Sequence, residues 1–147
     1  MVPLIDLAPG AEENGLALYL ADAIRENLRA RPHKLSDFRA LRGAVLVVPR
    51  DTGASLTMRF DHGRLTVHDG AIGIPTVTFC ADAPVLERLA EVPLVRFLGL
   101  PIAADGPGRA ALGDIARLMS SGDLRVYGLV AHPRMVLRFV RVVSRHG

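Results

Sequence analysis

Apolar residues recur at helical spacing over residues 11–30. Leu16, Leu20, Ile24 and Leu28 lie four apart, with Tyr19, Ala23 and Asn27 beside them. Glu12 and Glu13 at the start and Arg25 and Arg29 near the end suit the helix dipole, and Arg31-Pro32 stops the helix. The residues before it, with Pro3, Pro9 and Gly10, read as an irregular arm. A short helical turn is expected around Ser36 to Leu41, with Gly43 after it.

Beyond Gly43 the period shortens to two. Residues 44–48 form a continuous apolar run, the pattern of a strand buried on both faces. Leu56, Met58 and Phe60 alternate with Ser55, Thr57 and Arg59, and Leu65 and Val67 alternate with Arg64, Thr66 and His68. Asp61-His62-Gly63 between these runs is a tight hairpin signal. Val77, Phe79 and Ala81 alternate with Thr76, Thr78 and Cys80. These three strands each show one apolar and one polar face, which predicts an antiparallel sheet covered on one side.

Helical signals return at Asp82-Ala83-Pro84, a cap followed by proline in the first turn. Val85, Leu86, Leu89 and Ala90 give the buried face of a helix over 82–91, and Pro93 breaks it. Residues 94–100 are very apolar and end at Pro101, and Asp105-Gly106-Pro107-Gly108 is a loop. Leu112, Ile115, Ala116 and Met119 fit a helix over 109–120. Leu124 to Gly128 reads as a last short strand, and His132-Pro133 opens a C-terminal helix to about Arg145. With no repeat and no linker, residues 1–147 read as one α+β domain: 1–41 the arm and first helix, 42–145 the sheet and its covering helices.

A chain of 147 residues, half of them apolar, can bury a core without staples. The single Cys80 excludes an internal disulfide framework and a Cys-rich zinc site. No apolar run spans a bilayer and the N-terminus lacks a signal-peptide pattern, so a cytoplasmic location, with peripheral contact at membranes, is expected. The net charge of +3 is unevenly spread: residues 124–147 hold five arginines and no acid.

Catalytic signatures are absent from the sequence. His33, His62, His68, His132 and His146 are scattered, with His62 read as a turn residue, His68 as a strand end and His132 as a helix cap. No serine sits in a G-x-S-x-G elbow. Gly106-Pro107-Gly108 lacks the Gly-Lys-Ser/Thr ending of a phosphate loop and follows no predicted strand. Cys80 has no basic neighbour and reads as a packing residue. No catalytic residue, metal ligand or cofactor is expected, nor turnover by the isolated domain.

The helices and segment 94–100 carry more apolar surface than one sheet face needs. They either pack as an ordinary core or leave an apolar cavity over the sheet; periodicity does not separate the two.

The stretch from Ala54 to Gly70 (ASLTMRFDHGRLTVHDG) resembles the central hairpin of the sterol carrier protein type 2 family. Pro75 to Pro84 (PTVTFCADAP) is similar to that family's third strand running into a capped helix, and Gly122 to Gly128 looks like its short strand bounded by two glycines. The resemblance spans roughly residues 42–145. It implies a single layer of about five mostly antiparallel strands, covered on one face by helices, with an apolar tunnel between. It also implies a non-catalytic carrier of fatty acids, acyl-CoA, phospholipids, isoprenoids or sterol-like molecules. The family's tunnel-forming elements carry over here to Phe60, Phe79, Leu86, Leu89, Phe97, Leu98, Met119, Val126, Met135 and Phe139. The proline-broken segment 92–108 departs from the family pattern.

In the C-terminal helix, Arg134, Arg138, Arg141 and Arg145 fall in one narrow stripe at 100° per residue, opposite Met135, Val136, Phe139, Val140, Val142 and Val143. Docking on an anionic membrane surface or an acidic partner is the expected use of that stripe, against a merely solvated face. The competing readings are a nucleic-acid binder using the basic end and a protein-interaction module. Seven aromatic residues and no Trp make a base-stacking platform hard to build.

Overall fold

The computed structural model describes residues 4–87, 122, 124–128 and 130–143. Their elements, in order, are β1 (Leu4–Leu7), α1 (Gly15–Ala30), α2 (Leu35–Ala40), β2 (Arg42–Pro49), β3 (Leu56–Asp61), β4 (Arg64–Asp69), β5 (Val77–Ala81), α3 (Ala83–Glu87), β6 (Leu124–Tyr127) and α4 (Pro133–Val143). The expected segment 94–100, the loop at 105–108 and the helix over 109–120 lie outside the described residues.

α1 follows the expected spacing, with Leu16, Leu20, Ile24 and Leu28 buried. Its start is fixed by Asn14, whose side chain accepts from the Ala17 N–H at 3.1 Å. The same amide donates to the Asp69 carboxylate at 3.0 Å and to the Ser55 carbonyl at 3.1 Å. One residue therefore caps the helix and ties it to the far end of the β3–β4 hairpin.

The six strands lie in the order β1-β4-β3-β2-β5-β6. The sheet has one strand more than expected, because the N-terminal arm is not irregular. Leu4–Leu7 pairs parallel with β4, Leu4 opposite Arg64 and Leu7 opposite Val67. β5 corrects a second expectation. It does not extend the β3–β4 hairpin into an antiparallel meander but pairs parallel with β2, Val45 opposite Val77. The pairings β2–β3, β3–β4 and β5–β6 are antiparallel.

A parallel neighbour requires a crossover. β4 ends beside the start of β3, whereas β5 begins beside the start of β2. Residues 70–76 make the return. Thr57 pins this crossover to the sheet face away from the helices: its hydroxyl donates to the Gly70 carbonyl at 2.8 Å and accepts from the Ile72 N–H at 3.0 Å.

β2 is also not buried on both faces. Val45 and Val47 are fully buried on the helix side, whereas Ala44, Leu46 and Val48 are half-buried on the other, which no helix among the described residues covers. β6 is bounded as expected by Gly122 and Gly128, with φ of +84° and +88°.

α1, α2 and α4 meet over the inner face. Asn27 of α1 donates to the carbonyls of Val142 at 2.9 Å and Val143 at 2.7 Å, meeting two of the carbonyls that a helix C-terminus leaves unpaired.

Candidate functional site

The inner face of the sheet is a set of apolar rows fixed by register. Val67, Met58, Val45 and Val77 form one row, and Leu56, Val47, Phe79 and Val126 the next. Phe139 of α4 descends onto these rows. Its ring meets Phe79 at 5.2 Å between centroids and Phe60 edge-on at 6.0 Å, and Phe60 in turn meets Phe38 edge-on at 6.2 Å. Such offset and edge-on contacts are the preferred geometry of aromatic pairs.

Of the residues expected to line the tunnel, Phe60, Phe79, Leu86 and Phe139 are buried in this cluster, and Val126 and Met135 are half-buried against it. The fold thus gathers residues from β3, β5, α3, β6 and α4 on one apolar face. Leu89, Phe97, Leu98 and Met119 lie outside the described residues.

The arginine stripe divides. Arg141 lies 3.1 Å from the Asp37 carboxylate of α2, so it does not stand free in solvent. Arg145 lies outside the described residues. Arg134 is exposed and Arg138 half-buried. Both line a pocket of about 500 Å³ at the start of α4, together with Arg42, His62, His132 and Met135. Among the described residues no carboxylate lines this pocket and none of its three arginines forms an ion pair.

A groove of about 750 Å³ lies on the opposite face of the sheet, under the 70–76 crossover. Arg42, Arg59, Arg64, His68, Ile72 and Ile74 are in its lining, and Arg64 faces Asp6 at 3.5 Å. Neither Arg42 nor this groove is legible in the sequence. Arg42 is an isolated charge before a strand, and no local pattern tells that it borders both depressions.

Lys34 is almost fully buried near the Arg141–Asp37 pair. Burial pushes its ammonium down to about 8, and the positive charges of Arg31 and Arg141 add to that effect against the opposing pull of Asp37. Among the described residues no three metal-ligating side chains come together, and no helix is long and apolar enough to cross a membrane.

The described residues thus make an α+β fold with an apolar aromatic face under helices, on a mixed sheet built around an antiparallel hairpin. Among solved structures the chain is similar to the UbiJ-SCP2 ubiquinone synthesis protein, with a TM-score of 0.59 and 21% identity over 90% of this chain and 95% of that one. It is also similar to the crystal structure of sterol carrier protein 2, with a TM-score of 0.50 and 11% identity over 86% of this chain and 93% of that one. The resemblance read from the hairpin and the glycine-bounded strand is borne out as a shared fold. No protein-family model and no curated protein matches the chain.

Proposed function

We propose that the chain is a non-catalytic cytoplasmic carrier that holds a hydrophobic ligand between the inner face of its sheet and the helices. The observation that carries this reading is the aromatic and aliphatic face of Phe60, Phe79, Leu86 and Phe139, with half-buried Val126 and Met135 at its margin, on a sterol-carrier-type fold. Apolar burial with few polar groups suits an acyl, isoprenoid or sterol-like body, whose transfer from water is favoured roughly in proportion to the area covered. The similarity to a ubiquinone synthesis protein adds weight to the isoprenoid class.

Native mass spectrometry of gently purified protein tests the reading, followed by displacement of a fluorescent fatty acid in detergent-free buffer. A co-purified lipid and saturable displacement are expected. Protein that is lipid-free and leaves the probe unbound overturns the proposal. Hydrolysis of acyl-CoA that is lost on changing one Ser, His or Asp overturns its non-catalytic part.

A further inference from the structure

Of the large apolar side chains exposed among the described residues, Ile74, Val130, Leu4 and Tyr127 gather at one end of the sheet, while Ile72 is held by Thr57 nearer the other. Ile74 is 94% and Val130 96% exposed, and Leu4 and Tyr127 expose roughly half. The ladder defines that end: β2 and β5 begin there, the β3–β4 hairpin turns there, and β6 ends there. Ile74 rides on the crossover beside the outer groove, and Val130 precedes the turn that walls the arginine pocket. Arg42 borders both depressions and so stands between the two apolar tips.

This end carries two local misfits. Arg42, Arg134 and Arg138 bring three permanent positive charges to one pocket in whose lining no described residue is a carboxylate, and the single Asp61 opposite Arg42 in the β2–β3 ladder faces the outer groove and leaves the charge in excess. Beside them two β-branched side chains stand almost wholly in water. An acidic protein would answer the charge. Protein interfaces, however, bury a contiguous apolar centre inside a polar rim, whereas here the apolar tips sit on separate loops around a basic centre. A lipid surface answers both misfits, with phosphates at the level of the guanidinium groups and hydrocarbon just below.

We propose that this end of the sheet docks on an anionic membrane surface, with Ile74 and Val130 entering the headgroup–acyl boundary and Arg42, Arg134 and Arg138 taking lipid phosphates. The face proposed here differs from the helix stripe expected from sequence. It takes Arg134 and Arg138 from that stripe and Arg42 from β2, while Arg141 holds α2. Docking of this kind needs no bound ligand, so it stands or falls apart from the carrier reading, which is tested in solution.

The test is co-sedimentation with vesicles of phosphatidylcholine containing about a third phosphatidylglycerol, against phosphatidylcholine alone. The wild type is expected to bind the anionic vesicles at low salt and to release as salt screens the surface. Arg42→Gln/Arg134→Gln/Arg138→Gln is expected to weaken binding on the order of a hundredfold, at about fivefold per arginine. Ile74→Ser/Val130→Ser keeps the charge and is expected to weaken binding about tenfold. A charge-matched control at Arg29, Arg50 and Arg125, which line neither depression, retains binding. Circular dichroism verifies that each variant is folded.

Failure to bind anionic vesicles at low salt overturns the proposal. It does so whether or not inorganic phosphate or polyglutamate shifts the amide NMR signals of the pocket, results that would reassign this end to a soluble anion or an acidic protein. Equal loss in the control and the pocket variant also overturns it, as does no effect of Ile74→Ser/Val130→Ser.

Discussion

The guanidinium of Arg141 in α4 donates to the carboxylate of Asp37 in α2 across 3.1 Å, joining segments about a hundred residues apart. Asp37 is nearly buried and Arg141 about one-third exposed, so this pair is screened less than an ordinary surface pair. It ties α2, which brings Phe38 to the ring cluster, to α4, which brings Phe139.

Arg141→Gln leaves a nearly buried carboxylate without its closest cation. It is expected to lower unfolding stability by about 1–2 kcal/mol, the partial exposure keeping the loss below that of a fully buried pair. Arg134→Gln, at an exposed position, is expected to stay within about 0.5 kcal/mol of the wild type. Urea melts of the two variants measure the contrast. Equal effects would mean that the pair does not hold α4.

Lys34 gives the protein a pH signature. Its ammonium loses its proton at about 8 in the folded chain, against 10.5 when exposed. Between those values the unfolded chain binds more protons than the folded one, so stability rises with pH across the window. Below pH 8 the cost of the buried charge is present in full, and raising the pH to 10.5 removes up to about 3 kcal/mol of it. Lys34→Met abolishes that rise. Melts at intervals from pH 7.5 to 10.5, wild type minus variant, isolate it from other titrating groups. A flat difference curve would show that Lys34 keeps its ordinary affinity for a proton.

Gly128 sits where β6 hands the chain to α4, and its carbonyl accepts from the His132 N–H at 2.8 Å. Its φ is +88°, and a Cβ there would lie 2.5 Å from the backbone carbonyl oxygen of Thr76. Backbone strain and a backbone obstruction coincide, so Gly128→Ala is expected to cost about 3 kcal/mol or more. Gly43→Ala would share the backbone strain, at φ +126°, but would meet the Thr76 hydroxyl at 2.7 Å, a side-chain atom that can turn away rather than a backbone one. Its cost is expected to be the smaller of the two, by chemical denaturation. The reverse order would place the tight approach at β2 rather than at the end of β6.

Periodicity revealed α1, α2, the hairpin, β5 and α4 because each carries its face in its own residues. It missed β1 because Leu4–Leu7 is four residues between prolines, and its partner Arg64–Asp69 lies some sixty positions on. It misplaced β5 because alternation tells which side chains point inward, not which strand lies alongside; the anchoring of the 70–76 crossover by Thr57 reflects that choice. The inner face at Phe60, Phe79 and Phe139 was legible for the same reason as the strands. The pocket at Arg42, Arg134 and Arg138 was not, since it exists only once β2 and the start of α4 are neighbours. The stripe on α4 was visible as a face, but the acid that engages Arg141 comes from another helix.

Val126 separates a ligand site from a core. It lies opposite Phe79 in the β5–β6 ladder, on the inner face, yet it is only half-buried. A larger side chain there can lean toward solvent without displacing Phe79 or Phe139, which are buried. In an ordinary core, Val126→Trp would therefore change the melting temperature by a few degrees at most and nothing else. If a hydrophobic ligand lies against this face, the indole occupies volume that the ligand needs. The variant is then expected to bind a fluorescent fatty acid about tenfold more weakly at nearly unchanged stability. Phe139→Ala serves as the opposing control. It removes a ring that touches both Phe60 and Phe79, and should cost about 3–5 kcal/mol of stability while opening, not narrowing, the apolar space. Loss of affinity in step with loss of stability across both variants would show that the face is filled by its own side chains and that the ligand binds elsewhere.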